Sequence, residues 1–213
     1  MPKISAATIA EHRAQTRDRI LDAVAELTRR QGIDEISMTD VAATAGITRT
    51  ALYNYFPDKA ALLLAFTEQV TRIFLSRYRE ELPEGASAAR RLAVFVRLQL
   101  EGLLAHPHPG AAELGASLGP DAYQRLAEHV APMQRLLGGI LADGIAAGEF
   151  QPADGAGTAD TAATARLVLA AIGAQRSPLL RGELDLDAAA RPVTSFVLRG
   201  LGVPAEELAR LDA

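Results

Sequence analysis

The stretch SMTDVAATAGITRTALYNYFPDKAAL, residues 37–62, decides the fold of this chain. It contains two short helical patterns with apolar faces, separated by one glycine, Gly46. An aromatic pair and a Pro-Asp-Lys sequence follow the second pattern. This is the layout of a helix-turn-helix, a motif that places one helix in the major groove of DNA.

Capping residues predict where the two short helices begin and end. Ser37 is a good N-cap, and Asp40 follows it at the spacing of a capping box. Gly46 stands where a left-handed residue closes a helix. Thr48 can then cap the next helix. Upstream, residues 12–31 carry apolar residues at spacings of three and four, which predicts a first helix that Gly32 ends.

The helix after Gly46 has two different faces. At 100° per residue, its apolar face has to pack on the two preceding helices, whereas the opposite face holds groups that bond base edges and phosphates. The apolar side consists of Leu52, Tyr55 and Phe56. The polar side consists of Thr50, Tyr53 and Asn54, with Arg49 at its N-terminal rim.

Composition limits the class of protein. The chain has 213 residues, 49% of them hydrophobic, and no cysteine, which excludes disulfides, Cys-ligated zinc and iron–sulfur clusters. It has no apolar run of membrane-spanning length and no signal-peptide pattern, so we expect a cytoplasmic protein. No catalytic motif is present, and we predict neither an enzyme nor a bound cofactor.

The charge is unusual for a protein that binds DNA. The net charge is −4, and residues 1–60 hold eight Lys and Arg against eight Asp and Glu. A surface that binds polyanions in general is therefore not expected. Any binding to DNA has to depend on a few well-placed cations, hydroxyls and helix N-termini.

The rest of the chain also has helical patterns and almost no strand signal. We predict an all-α protein with an N-terminal three-helix DNA-binding domain, residues 1–57, and a larger helical domain, residues 58–213. The predicted later helices cover 58–82, 87–105, 111–118, 120–147 (interrupted or kinked by Pro132), 159–175, 187–200 (with Pro192 at its start or kinking its first turns), and a short one after Pro204.

Residues 12–62 resemble the DNA-binding domain of the TetR family of bacterial transcriptional repressors. The matching pieces are the ILDAVAEL helix, Gly32, Val41-Ala42, Ala45-Gly46-Ile47-Thr48, Leu52-Tyr53-x-Tyr55-Phe56, Lys59 and Leu62. One departure is Leu27, where the family often has Phe; it is a core position. The resemblance covers about a quarter of the chain.

The resemblance implies roles for residues at matching positions. Thr39 would touch DNA beside the third helix. Thr48, Arg49 and Thr50 would face base edges. Tyr53, Tyr55 and Lys59 would hold phosphates, although the helical wheel buries the ring of Tyr55.

The last two long helices are candidates for a dimer interface. Each carries a stripe of apolar residues, and in the resembling family the corresponding helices pair across a two-fold axis. The interface residues we predict are Leu167, Ala171, Val193, Phe196 and Val197. The alternative is that both stripes belong to the core of one subunit.

The family keeps its inducer pocket among the middle helices, residues 87–147. Polar or polarisable residues that could orient a ligand there are Gln99, His106, Tyr123, His129 and Met133. Tyr123 and Met133 could equally be core residues, and Gln99 could face solvent. His106 and His108, with Glu113 and His129, are residue types that bind metals, but an H-x-H pair in a loop is common, and we assign no metal site.

These observations predict a homodimeric repressor that binds a palindromic operator and is released by a small-molecule inducer. The neutral charge of the first domain leaves open a second interpretation, a helical small-molecule-binding or scaffold protein that does not read an operator. A third interpretation keeps the DNA binding but lacks a ligand.

Overall fold

The computed structural model describes residues 6–31, 35–82, 85–105, 120–151 and 161–211. Every regular element in these ranges is a helix, as predicted. The helices are α1 Ala6–Gln31, α2 Met38–Thr44, α3 Arg49–Tyr53, α4 Lys59–Glu81, α5 Ala88–Ala105, α6 Pro120–Ala146, α7 Thr161–Ala174, α8 Arg176–Leu180, α9 Leu186–Gly200 and α10 Ala205–Leu211. Within the described ranges, none of the helices combines the length and apolar character needed to span a bilayer.

The chain divides into two compact units. The first lies within Met1–Gln69 and His106–Ala127, and the second within Val70–Ala105 and Glu128–Ala213. The first unit therefore continues past residue 57, the predicted domain boundary, and includes the start of α4.

The first unit is built around the packing of α1 on α2 and of α2 on α3. Its centre consists of apolar side chains that are at most 4% exposed: Ile20, Val24, Val41, Leu52 and Phe56. These residues come from the helical faces that the sequence marks as apolar. Because α3 has only five residues, its position depends on this packing rather than on its own helical stability.

In the second unit, α5 is the central helix and packs against α7, α8 and α9. Leu92, Phe95 and Val96 are fully buried. The ring of Phe95 meets the ring of Phe74 edge-on, with 5.3 Å between their centres, and Tyr78 lies 6.3 Å from both of these rings. These three side chains attach the second half of α4 to α5.

One glycine in α6 is required by close packing. A Cβ on Gly144 would overlap the ring of Phe150 and would lie 2.9 Å from the Cβ of Ala88. In contrast, Gly139 on the same helix has open space around it. The side chain that is missing at Gly144 allows the start of α5 and the turn after α6 to approach.

Several helix bounds differ from the prediction. Helix α1 begins at Ala6 rather than residue 12, because its first turns contain strong helix formers. Helix α8 was not predicted, and its Pro178 lies in the first turn, where proline is tolerated. Helix α6 is not interrupted at Pro132, and Pro192 lies inside α9. The short helix predicted at 111–118 lies outside the described residues.

Candidate nucleic-acid interface

The start of α2 and the turn between α2 and α3 have the capping that the sequence predicts. The amide of Asp40 donates to the hydroxyl oxygen of Ser37 at 3.2 Å, and the amide of Ser37 donates to the carboxylate of Asp40 at 3.0 Å. Gly46 has a φ of 67°, which is strained for residues with a side chain. The Ala51 amide then donates to the Thr48 hydroxyl oxygen at 3.1 Å. The first two bonds fix the start of α2, and the bond from Ala51 to Thr48 fixes the start of α3.

The capping box also affects the charge of Asp40. Hydrogen bonds from the side chain and then from the backbone of Ser37 hold the pKa of this carboxyl below its ordinary value. Asp40 therefore stays ionised to lower pH. A carboxylate in the first turn of α2 also interacts favourably with the positive end of the helix dipole.

The solvent-facing side of α3 presents a cation, a hydroxyl and a phenol. Arg49, Thr50 and Tyr53 are exposed, and so is Thr39 on α2. The Arg49 guanidinium lies 5.6 Å from the centre of the Tyr53 ring and donates to the Tyr53 hydroxyl at 3.3 Å. Two of the side chains that could contact DNA from α3 therefore hold each other in position.

Tyr55 is partly buried, which agrees with both expectations for it. Its ring packs under Arg13 of α1, whose guanidinium carbon lies 5.2 Å from the ring centre. Arg13 also donates to the backbone carbonyl of Asn54 at 3.5 Å. The contact brings a cation from α1 to the end of α3.

Arg13 is a candidate that sequence reasoning missed. It is exposed, and it reaches residues 54 and 55 from a position 41 residues earlier in the chain. The signal in the sequence was the pair Arg13 and Arg17, one helical turn apart. Arg17 differs from Arg13, because it lies 5.7 Å from the ring centre of the buried Phe56 and 3.9 Å from Glu68.

Lys59, the last residue of the predicted set, begins α4 and is partly buried. Asp58 precedes it, and the Asp58 carboxylate accepts from the Ala61 amide at 2.7 Å, which caps the helix. The structure therefore places six of the seven predicted DNA-contact residues on α2, on α3, at the N-cap of α3 or at the start of α4. Tyr55 lies two residues after the end of α3.

The predicted ligand residues are only partly described. The side-chain amide of Gln99 on α5 donates to the sulfur of Met133 on α6, so these two residues lie together. His106 lies outside the described residues. Tyr123 and His129 belong to α6, but their side chains lie outside the described part of the structure.

Two further polar side chains of the second unit, Tyr78 and Arg91, are notable for their burial. The Tyr78 hydroxyl and Nε of Arg91 are buried without a hydrogen-bond partner among the described residues. Burial raises the pKa of Tyr78, and Arg91 opposes the rise. Arg91 also donates to the Asp143 carboxylate at 2.6 Å.

The predicted dimer residues divide into two sets. Val193 and Val197 are 4% and 7% exposed and belong to the core of their own subunit. They are therefore not available to a second chain, which corrects the prediction for this part of the stripe. Leu167 and Phe196 are 69% and 72% exposed, and Ala171 is partly exposed. The exposed members lie on α7 and α9, which pack on each other.

In the described part of the chain, no group of three or more His, Asp or Glu residues could hold a metal ion. His106, His108 and Glu113 lie outside that part.

The pattern that defines bacterial regulatory proteins of the tetR family matches residues 20–66, which contain the end of α1, the whole of α2 and α3, and the start of α4. The chain belongs to the tetR family. It is a transcriptional regulator with a helix-turn-helix. The residues matched are those that carry the predicted DNA contacts.

A relative from Bacillus subtilis (strain 168) supports this assignment beyond the helix-turn-helix. This tetR-family regulator is 27% identical over 136 residues to the fatty acid metabolism regulator protein of that organism, across 62% of this chain and 70% of the relative. Matches to other curated relatives span about half of those proteins.

Solved structures share the fold of both units. FadR from Bacillus subtilis, in complex with stearoyl-CoA, matches 86% of this chain and 98% of its own with a TM-score of 0.69 and 21% identity. RolR in complex with resorcinol matches 95% of each chain with a TM-score of 0.64 and 22% identity. At these identities the likeness concerns the fold.

Proposed function

We propose that this regulator is a repressor that binds a palindromic operator as a homodimer and leaves it when a small molecule binds. The observation that carries the proposal is the exposed row Arg49, Thr50 and Tyr53 on α3, directly after the Gly46 turn and within the segment that matches the family. A helix presented in this way is suited to the major groove.

The proposed contacts divide into two kinds. Thr48, Arg49 and Thr50 would face base edges, with Arg49 able to donate two bonds to one guanine. The sugar-phosphate backbone of the DNA beside these bases would be contacted by Thr39, Tyr53, Tyr55 and Lys59. We add Arg13 to the backbone contacts, because it reaches the end of α3.

Dimer formation is supported by the exposed Leu167 and Phe196. Large apolar side chains that are about 70% exposed are expected at surfaces that bind other proteins. One helix-turn-helix buries little DNA surface, and specific affinity commonly comes from two half-sites read by a dimer. A homodimer supplies the second reader.

The ligand would lie in the second unit. Gln99 and Met133 lie together there, and the Tyr78 hydroxyl and Arg91 Nε are buried without a partner among the described residues. Relatives with this fold bind ligands as different as stearoyl-CoA and resorcinol. The fold alone therefore does not select a ligand. Release of the DNA would follow if the ligand bound more tightly to the conformer that does not fit the operator, because the population would then shift to that conformer.

The charge balance of residues 1–60 favours one alternative, a small-molecule-binding or scaffold protein that does not read an operator. Selection of bound genomic fragments distinguishes the two. The repressor proposal expects enrichment of a palindromic sequence that is lost in Arg49→Ala. Repeating the selection with stearoyl-CoA and with resorcinol tests release. Failure to enrich any sequence at low salt would support the alternative.

A further inference from the structure

A groove on the second unit collects arginines from two helices. It lies between α5, α9 and α10 and has a volume of about 380 Å³. Arg90 and Arg97 line it from α5, two turns apart on one face, and Arg191 lines it from α9. The groove is also lined by Thr194 of α9 and Leu211 of α10.

The groove is positive in a chain that is negative overall. Three guanidinium groups face one carboxylate, that of Asp187, whereas the whole chain has a net charge of −4. The groove and Phe196 lie on opposite flanks of α9, because Arg191 and Thr194 are about 140–160° from Phe196 around a helix with 3.6 residues per turn. A dimer formed through Phe196 would leave the groove open.

The three arginines differ in the hydrogen bonds and ion pairs that they already make. Arg90 donates to the carbonyl of Leu211 at 3.3 Å, and Arg97 donates to Asp187 at 2.7 Å and to Glu101 at 3.1 Å. Arg191 makes no hydrogen bond or ion pair within the described ranges, although its charge helps to lower the pKa of Asp187 after the larger effect of Arg97. The groove therefore has unused donors.

We propose that this groove binds a small multivalent oxyanion, a molecule that carries phosphate or carboxylate groups. Guanidinium forks match the geometry of both groups, and two or three of them can surround one such group. The Thr194 hydroxyl can add a neutral donor. The volume lies within the range of small-molecule sites.

Binding would have a consequence at Arg97. Asp187 is the carboxylate that occupies Arg97 now, and the pair is solvent-exposed, with side chains that are 50% and 65% accessible. Pairs of this kind contribute little stability, so the oxyanion can replace Asp187 at small cost.

Arg97 belongs to a longer series of ion pairs. Glu101 contacts both Arg97 and Arg77, the second at 2.8 Å, so the series joins α9 to α5 and α4 within the second unit. If the oxyanion replaced Asp187 at Arg97, α9 would lose its link to this series of ion pairs. An effect of the anion on operator binding would rest on the proposed function, but the binding itself does not.

The test measures binding without DNA. The full chain is titrated with sodium pyrophosphate and, separately, with sodium citrate by calorimetry at matched ionic strength. We expect saturable binding that is about tenfold weaker in Arg191→Gln, because the loss of one charge-assisted hydrogen bond lowers the affinity by roughly that factor. Asp187→Asn should bind about threefold more tightly, because the competing carboxylate is gone.

An exposed ion pair on α1, Arg30 with Glu26 at 3.5 Å, supplies controls of each sign. Arg30→Gln changes the net charge as Arg191→Gln does, and Glu26→Gln changes it as Asp187→Asn does. Both controls lie outside the groove, and neither should change the affinity. Tighter binding of pyrophosphate assigns the site to phosphates, and tighter binding of citrate assigns it to carboxylates.

Two results would overturn the proposal. One is the absence of saturable binding of both anions at about 10 mM, far weaker than usual small-ligand affinities. The other is an equal loss of affinity in Arg191→Gln and Arg30→Gln, which would indicate general charge attraction. Arg191 makes no ion pair to the described residues, so its variant is expected to fold, and circular dichroism checks this.

Discussion

The guanidinium of Arg49 lies over the ring of Tyr53, 5.6 Å from its centre, and donates to the hydroxyl of the same residue at 3.3 Å. The residues are one turn apart on α3, and both are exposed. The proposed base contact is therefore ordered by its neighbour before DNA arrives, which reduces the entropy lost on binding.

Replacement of Arg49 by alanine should relax sequence preference at one base pair of each half-site. The loss expected is about 1–3 kcal/mol of discrimination, the usual value for a bidentate contact to guanine. Titrations of operators with single base-pair changes measure it. Tyr53→Phe is the matched control, because it keeps the ring under Arg49 and should keep the preference. An unchanged preference in Arg49→Ala would remove this residue from the base contacts.

Lys59→Ala and Arg13→Ala should weaken binding to all sequences about equally. Each removes one proposed phosphate contact, so the slope of log K against log salt should fall by about 1 in each variant. Titrations at several salt concentrations give the slope. Arg30→Ala removes a cation from the other end of α1, with 69% of its side chain exposed, and should leave the slope unchanged. The same slope in all three variants would contradict these contacts.

The features that could be predicted from the sequence depend on local interactions. Ser37, Asp40 and Thr48 cap helices through residues three positions away, and Gly46 is required by the backbone at its own position. Such signals are contained within a few neighbouring residues. They placed α2, α3 and most of the candidate DNA surface.

The features that were missed depend on distant pairs. The contact of Arg13 with Tyr55 and the pair of Arg97 with Asp187 each join separate helices. Val193 and Phe196 share one apolar stripe in the sequence, and only packing separates the buried one from the exposed one. A stripe at helical spacing does not indicate which of its edges faces the core.

Gly144 should not tolerate a side chain. Gly144→Ala places a Cβ against the Phe150 ring and Ala88, and overpacking of this kind costs about 1–3 kcal/mol. Gly139→Ala, in open space on the same helix, should instead stabilise by about 0.5–1 kcal/mol. Urea unfolding of both variants measures the difference. Equal midpoints would show that the contact at Gly144 can relax.

The stability from the Ser37–Asp40 capping box should depend on pH. The pKa of Asp40 is lowered in the folded protein, so this contribution is present above the ordinary pKa and is lost as the pH falls through the folded pKa. Ser37→Ala should cost about 1 kcal/mol near neutral pH and less in acid.

Two measurements check this pH dependence. The titration of the Asp40 carboxyl, followed by NMR, should move to higher pH in Ser37→Ala. Thr48→Ala removes a cap that has no carboxylate in its hydrogen bond, so its cost in free energy of unfolding should stay constant over the same range. A parallel decrease for both variants would mean that Asp40 is not the group that titrates.

A charge at Phe196 should separate the proposed dimer. The side chain is 72% exposed in one subunit, so Phe196→Glu should leave the fold of that subunit intact while burying an unpaired carboxylate in the interface. Light scattering should then give the mass of a monomer where the unaltered protein gives that of a dimer. Leu180→Glu, at a site on α8 that is 41% exposed, is the control and should remain dimeric. A dimer that persists in Phe196→Glu would place the interface elsewhere, and a second reader for the operator would then require another surface.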